Sequence, residues 1–180
     1  MAATRFRRKR SGVVALTVHP DEALVLTGLL QQLADLVAPE ESTDADPLAA
    51  LVDIGTTTEV PDDPVLARLF PDAYADDPEA AGEFRRYTEN SLRDRKHAAA
   101  LRALATLEGP GKERDLVEDD VQAWLGALND LRLALGTRID VQEDWPTQFH
   151  GLAEDDPTRS LFLLYDWLSW LQETLVRCLR

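Results

Sequence analysis

The sequence predicts a mainly α-helical protein, a bundle of about five to seven helices that follows a short N-terminal β-hairpin. Three observations predict it: Asp-Pro pairs along the chain, apolar residues with helical spacing after them, and a β-branched run beside a Gly-containing turn near the start. With 180 residues, 44% of them hydrophobic, the chain suits one domain with a sizeable core. We predict a single domain over 1–180, with a basic hairpin or arm at 1–18 and a helical body at 19–180.

The hairpin is predicted from the first eighteen residues. Val13–Val18 has the β-branched content of a strand, and Ser11 and Gly12 before it suit a turn. The basic run Arg5–Arg10 would then be an edge strand, which its charge protects from aggregation.

Proline introduces the predicted helices. An Asp at the N-cap accepts a backbone N–H of the first turn, and proline at the next position loses no helical hydrogen bond. The pairs are Asp46-Pro47, Asp63-Pro64, Asp77-Pro78 and Asp156-Pro157, with His19-Pro20 as a variant in which His19 takes the N-cap position.

Apolar stripes then set the helix lengths. In the first half we predict helices at 20–37, 47–53 and 64–70, with a turn-rich linker at 54–62. A longer helix runs from Pro78 to about Leu107, and it could break near Tyr87 and Thr88.

Two further helices complete the predicted body. One covers 118–135 with Gly136 as its C-cap, and the last begins at Pro157 and runs nearly to the end. The apolar face of the last helix is too broad for one neighbour, so this helix is expected to be central or to lie in a dimer interface.

The net charge is -14, from 19 Lys and Arg against 33 Asp and Glu, and it is distributed unevenly. Two short segments, 1–10 and 84–102, are basic, whereas the rest of the chain is acidic. Because nucleic-acid binding depends on neutralising phosphates, this balance opposes broad binding to a polyanion and favours basic protein surfaces as partners.

Any DNA or partner contact by cations is confined to the two basic segments. Each has a structural alternative: the first could lie back on acidic surface of the same chain, and the second could be a solvated helix face with a Glu89–Arg93 pair. The candidate residues are Arg5, Arg7, Arg8, Lys9 and Arg10 in the first segment and Arg85, Arg86, Arg93, Arg95 and Lys96 in the second.

No motif indicates catalysis. The sequence has no Gly-rich phosphate loop, no nucleophile elbow and no paired metal-binding histidines, and its acidic clusters resemble helix starts more than calcium loops. We therefore expect no enzyme activity, no cofactor and no metal site.

A polar group interrupts the helix predicted at 118–135. Asp130 and Arg132 lie among leucines, and either they form an exposed polar face or one of them contacts the last helix, where Gln172 and Glu173 interrupt the apolar surface. A buried pair there would fix helix register more than it would add stability.

Cys178 is the single cysteine of the chain, so no disulfide can form within it. A buried packing role is at least as plausible as a reactive one, and an intermolecular disulfide requires two copies of this segment to meet.

No apolar run approaches the roughly 18 to 20 residues that a membrane helix needs. No apolar segment follows the basic start as it does in a secretory signal. We therefore expect a soluble protein without a membrane partner.

Four segments in order resemble a small actinobacterial family, long known as a domain of unknown function and now identified with the oxidative-stress transcriptional regulator AosR. They are HPDEALVLTGLLQQL, DDPVLARLFPDAY, NDLRLALG and LYDWLSWLQETLV, and the resemblance runs from about Arg5 to Val176. These are packing motifs, so their combination carries the resemblance.

The resemblance implies a cytoplasmic, mainly helical regulator that acts with an alternative sigma factor of RNA polymerase at stress-response promoters. The family scheme includes redox sensing through a cysteine pair, and this chain departs from it because Cys178 stands alone.

We expect protein contacts to matter more than DNA contacts, and a homodimer is left open. The alternative function is an adaptor or dimerisation protein that does not bind DNA and is linked to regulated proteolysis.

Overall fold

A computed structural model describes residues 4–39, 59–74, 76–108 and 112–180. Three strands and six helices lie in these ranges, which confirms the predicted mainly α-helical class. They are β1 (Arg5–Arg8), β2 (Val14–Thr17), α1 (Pro20–Val37), α2 (Pro64–Leu69), α3 (Pro78–Leu107), β3 (Glu113–Leu116), α4 (Glu118–Arg138), α5 (Trp145–Gly151) and α6 (Thr158–Cys178). The helix predicted at 47–53 and most of the predicted linker lie outside the described residues.

The N-terminal hairpin forms as predicted and belongs to a larger sheet. β2 pairs antiparallel with both β1 and β3, so β1 is an edge strand. Gly12 has φ 88° in the turn between β1 and β2, a backbone conformation that favours glycine. The sequence analysis missed β3, because its residues ERDL lack the β-branched pattern of a strand.

Most helix starts agree with the sequence prediction. Helix α1 has the predicted bounds, and the side chains of Asp63 and Asp77 accept backbone N–H groups at the starts of α2 and α3. Asp156 accepts the backbone N–H of Thr158. His19 is the N-cap of α1, but its side chain makes no capping hydrogen bond.

Three details of the helical prediction were wrong. Helix α3 is continuous through Tyr87 and Thr88, and the sequence analysis did not foresee α5. Gly136 lies inside α4, which continues to Arg138. Gly136 allows Val141 and Tyr165 to pack closely against α4, because a Cβ at this position would lie 3.0 Å from Val141 Cγ1 and 3.3 Å from Tyr165 Cε2.

Helix α4, rather than the last helix, is the most surrounded element. It packs against α1, α2, α3 and α6, and its Trp124 and Leu128 are fully buried. One cluster of buried side chains joins these helices to Phe6 and Leu16 of the sheet. No helix within the described ranges is long and apolar enough to cross a membrane.

The broad apolar face of α6 has several neighbours. Leu168 and Leu171 belong to the core, and β1 packs against the same helix. Phe162 of α6 stacks with Trp145 of α5 at a centroid distance of 6.3 Å. Trp170 remains 42% exposed, so part of the face stays at the surface of the chain.

Candidate functional site

A buried ion cluster lies on α3, in the segment that the sequence analysis treated as a basic surface. Arg85, Glu89 and Arg93 follow one another at helical spacing, and each is at most 6% exposed. Glu89 accepts from both arginines: its Oε2 binds Arg85 Nη1, and its Oε1 lies 3.0 Å from Nε and 2.8 Å from Nη2 of Arg93. The carboxylate therefore neutralises two buried cations at once.

The same cluster joins α3 to the segment after α2. Arg85 Nη2 donates to the carbonyl oxygen of Phe70 at 3.0 Å and to Asp72 Oδ1 at 2.7 Å. The guanidinium of Arg93 lies over the Phe70 ring, 4.5 Å from its centroid. These directional contacts fix how the two segments lie against each other.

Lys96, one turn beyond Arg93, also points into the protein. Its Nζ lies 2.6 Å from Oδ1 of Asp130 on α4, and Asp130 is only 3% exposed. Burial raises the pKa of Asp130 above its ordinary value, and the hydrogen bond from Lys96 offsets part of that effect. Asp130 therefore contacts α3 and not the last helix.

The solvated helix face proposed for residues 85–96 is thus corrected for three of its five cations. Arg85 and Arg93 are buried around Glu89 of the same helix, and acidic groups of other segments, Asp72 and Asp130, bind Arg85 and Lys96. Arg86 and Arg95 are exposed. The predicted Glu89–Arg93 pair exists, but in the interior.

Arg132 reaches the last helix, as one sequence alternative proposed. Its Nε lies 2.8 Å from Ser169 Oγ, its Nη1 2.6 Å from Gln172 Oε1, and its Nη2 3.4 Å from the Tyr165 hydroxyl. All three acceptors are neutral. Glu173 is not among them, since it binds Arg177 on its own helix.

Two of the basic residues near the start lie on acidic surface, as the structural alternative proposed. Arg7 and Lys9 bind Glu113 of β3 at 3.2 and 3.0 Å, and Lys9 also binds Asp115. Hydrogen bonds from Lys9 and then Arg7 lower the pKa of Glu113. The remaining members of this segment are exposed, and they are Arg5, Arg8 and Arg10.

Cys178 is a packed core residue of this chain. It is 6% exposed, belongs to the main apolar cluster, and its Sγ donates to the carbonyl oxygen of Thr174 at 3.2 Å. Burial raises the pKa of the thiol, which disfavours the reactive thiolate. An intermolecular disulfide would therefore require this part of α6 to move.

An exposed aromatic patch, which was not predicted from the sequence, consists of Tyr74, Phe84 and Tyr87. These side chains are 50%, 45% and 62% exposed, and the rings of Tyr74 and Phe84 meet edge to face at 5.8 Å. Phe84 and Arg85 also line a cavity of about 210 Å³ above the ion cluster. The helical spacing of Phe84 and Tyr87 resembles a core stripe, so only the fold reveals that they face outward.

The described residues contain no group of three or more His, Cys, Asp or Glu side chains that could hold a metal ion.

A family model described as a domain of unknown function, DUF2017, matches residues 3–179. The chain belongs to the DUF2017 family. Similar proteins include the oxidative stress regulator AosR of Mycobacterium bovis and of Mycobacterium tuberculosis, each 34% identical over 89% of this chain and 79% of the relative. The putative oxidative stress regulator AosR of Mycobacterium leprae is 33% identical over 90% of this chain and 80% of its own length. No solved structure matches the chain.

Three of the four segments that resemble the DUF2017 family contribute partners to the polar contacts described above. DDPVLARLFPDAY contains Phe70 and Asp72 of the ion cluster, and NDLRLALG contains Asp130 and Arg132. LYDWLSWLQETLV contains the three acceptors that hold Arg132. Their combination therefore encodes contacts between helices as well as apolar packing.

Proposed function

We propose that this chain is a transcriptional regulator of the oxidative-stress response that acts through protein contacts with RNA polymerase or an alternative sigma factor. The observation that carries the proposal is the 34% identity to proteins named oxidative stress regulators over 89% of this chain. The proposal assigns no catalytic activity to the chain.

The distribution of cations supports protein contacts over an independent reading of DNA. Arg85 and Arg93 are buried, Lys96 is held by Asp130, and Arg7 and Lys9 are engaged by β3. Five of the ten candidate cations are therefore held by carboxylates of this chain, which reduces the charge available to neutralise phosphates, the main source of affinity for DNA. The net charge of -14 opposes the approach of a polyanion further.

The aromatic patch offers a surface for the protein contact. Exposed aromatic side chains supply much of the binding energy at protein interfaces, because they bury a large area at low entropic cost. The ion cluster below holds α3 rigidly, so Phe84 and Tyr87 are presented in a fixed arrangement. Arg95 is exposed farther along the same helix and suits an acidic group of the partner.

The test measures binding of the full chain to purified RNA polymerase with and without purified alternative sigma factor. We expect Phe84→Ser and Tyr87→Ser to weaken binding roughly tenfold or more, as loss of an interface hot spot does. Leu163→Ser is the matched control, because Leu163 is 59% exposed on α6, outside the patch. Equal binding by all three variants would reject the patch as the contact surface.

A second experiment, with promoter DNA, distinguishes the proposed regulator from an adaptor that does not act at DNA. Gel shifts over a range of salt concentrations compare the wild type with Arg5→Ser/Arg8→Ser/Arg10→Ser, which keeps the ion pairs of Arg7 and Lys9. Sigma-dependent retention of promoter DNA at moderate salt supports the regulator. Failure to bind either polymerase or sigma factor would overturn the proposal.

The structure also constrains how this chain could respond to oxidants. An intramolecular disulfide cannot form among these residues, because Cys178 is the single cysteine. In the proposed function, the oxidant signal therefore reaches this chain through a partner or through chemistry other than a disulfide within the chain.

A further inference from the structure

A second cavity opens where α2, α4 and α6 meet, away from the aromatic patch. Its volume is about 370 Å³, enough for a small metabolite. Its polar lining includes Arg68 of α2, Arg132 and Thr137 of α4, Asp140 after α4, and Tyr165 of α6.

Arg132 is held at this cavity by hydrogen bonds that leave some of its N–H donors unused. Ser169 and Gln172 hold its Nε and Nη1, and the Tyr165 ring lies 5.4 Å from its guanidinium carbon. A guanidinium has five N–H donors. The hydrogen bonds to Ser169, Gln172 and the Tyr165 hydroxyl use three of them. One N–H on each terminal nitrogen is left for a ligand.

Among the residues that the structure describes, neither arginine of the cavity has a carboxylate partner. Arg68 is exposed and makes no ion pair with any residue in the described ranges, and the three partners of Arg132 are uncharged. Asp140 lines the same cavity but forms no ion pair with either of them in the described structure. By contrast, the buried Arg85 and Arg93 each have a carboxylate partner.

We propose that this cavity binds a small organic or inorganic oxyanion, whose carboxylate or phosphate group lies between Arg68 and Arg132. Arginine presents paired N–H donors that match the two oxygens of such a group. The Tyr165 hydroxyl accepts from Arg132 and keeps its own proton for the same ligand. This inference is independent of the proposed protein contacts.

The acidic character of the chain favours a small anion over a nucleic acid. Asp140 lines the cavity, and Asp166 follows Tyr165 on the exposed side of α6. These carboxylates repel an extended polyanion, whereas a small ligand enters a concave site and meets the two arginines directly.

The test follows the Nε–H signal of Arg132 in ¹⁵N-labelled protein by NMR, at constant ionic strength maintained with chloride. Inorganic phosphate, glycerol 3-phosphate and succinate are added in separate titrations. We expect a saturable shift for at least one probe, and the tightest probe identifies a free phosphate, a phosphate ester or a carboxylate as the preferred class.

Two variants decide whether the binding belongs to this cavity. Arg68→Gln removes an exposed charge without touching the core, and we expect it to weaken binding roughly tenfold, as loss of one charged hydrogen bond does. Arg138→Gln removes an exposed arginine at the end of α4 that does not line this cavity, and we expect less than about a twofold change. Equal loss in both variants, or no saturable shift with any of the three probes, would overturn the proposal.

Discussion

The arginines at two helix junctions of this molecule differ in how they are neutralised. Between α3 and the segment after α2, Arg85 and Arg93 share Glu89, and Arg85 also binds Asp72. Between α4 and α6, the partners of Arg132 within the described ranges are all neutral. At the first junction the arginines are neutralised by nearby carboxylates, whereas at the second the positive charge of Arg132 lies at a cavity. A buried arginine with a carboxylate partner therefore fixes packing, whereas Arg132, which has neutral partners, can bind the proposed anionic ligand.

The largest expected loss of stability comes from disrupting the ion pairs between α3 and the segment after α2. Glu89→Gln removes the carboxylate charge that two buried arginines, Arg85 and Arg93, share, and we expect it to lower the free energy of unfolding by roughly 3 to 5 kcal/mol. Urea unfolding followed by circular dichroism measures it. Glu83→Gln is the control, because Glu83 is exposed on the same helix. A loss for Glu89→Gln no larger than that of the control would show that the cluster adds nothing to stability.

The second prediction concerns the close packing beside Arg132. Gly136→Ala places a methyl group 3.0 Å from Val141 Cγ1 and close to the Tyr165 ring, and we expect a loss of about 1 to 3 kcal/mol. Gly28→Ala is the matched control, since a Cβ there meets nothing within 4 Å. We expect that control to gain up to about 1 kcal/mol from helix propensity. Thermal unfolding of both variants checks the contrast, and equal shifts in Tm would refute it.

The third prediction compares the two junctions directly. Arg132→Met removes three hydrogen bonds to neutral groups at a half-buried position, so we expect a loss of about 1 kcal/mol or less. Arg93→Met removes one of the two cations that Glu89 binds, and its cost should be roughly twice as large or more. The same urea unfolding measures both, and a reversed order would contradict the distinction between the junctions.

The smallest effect concerns pH and Asp130. Burial raises the pKa of Asp130 in the folded protein. At pH values between the pKa of Asp130 in the unfolded chain and its pKa in the folded protein, the folded protein therefore holds more protons at this site than the unfolded chain does. The stability of the wild type relative to Asp130→Asn should therefore fall as pH rises through the folded pKa. Unfolding of both proteins at a series of pH values measures the difference, and Asp94→Asn reports the effect of net charge alone. A difference that grows with pH would contradict this sign.

Local signals explain which parts of the fold could be predicted. The start of α2 depends on Asp63 and Pro64, which lie next to the helix they begin, and α1 carries its own apolar stripe. Such information is contained in a few neighbouring residues. By contrast, β3 forms because β2 provides a partner about a hundred residues earlier, and no pattern within ERDL indicates that partner.

The same distinction applies to the candidate sites. Arg85, Glu89 and Arg93 at intervals of four resemble a solvated helix face, and only the approach of Phe70 and Asp72 makes them an interior cluster. The contact of Arg132 with the last helix was among the predicted alternatives because polar residues interrupt apolar stripes on both helices. Whether Gln172 or Glu173 would be its partner depended on the rotation of α6, which the sequence does not specify.

The contact between β1 and α6 has a consequence for how the chain folds. The backbone N–H of Phe6 donates to Thr174 Oγ1 at 3.2 Å, and Phe6 packs edge to face with Trp124 at 5.5 Å. These partners are 168 and 118 positions away along the chain, so the first strand obtains much of its burial from segments that the ribosome delivers late. Contacts of such long range slow folding, because loop closure costs entropy before the contact is gained. Phe6 of the nascent N-terminal hairpin therefore lacks these partners until α4 and then α6 have been synthesised.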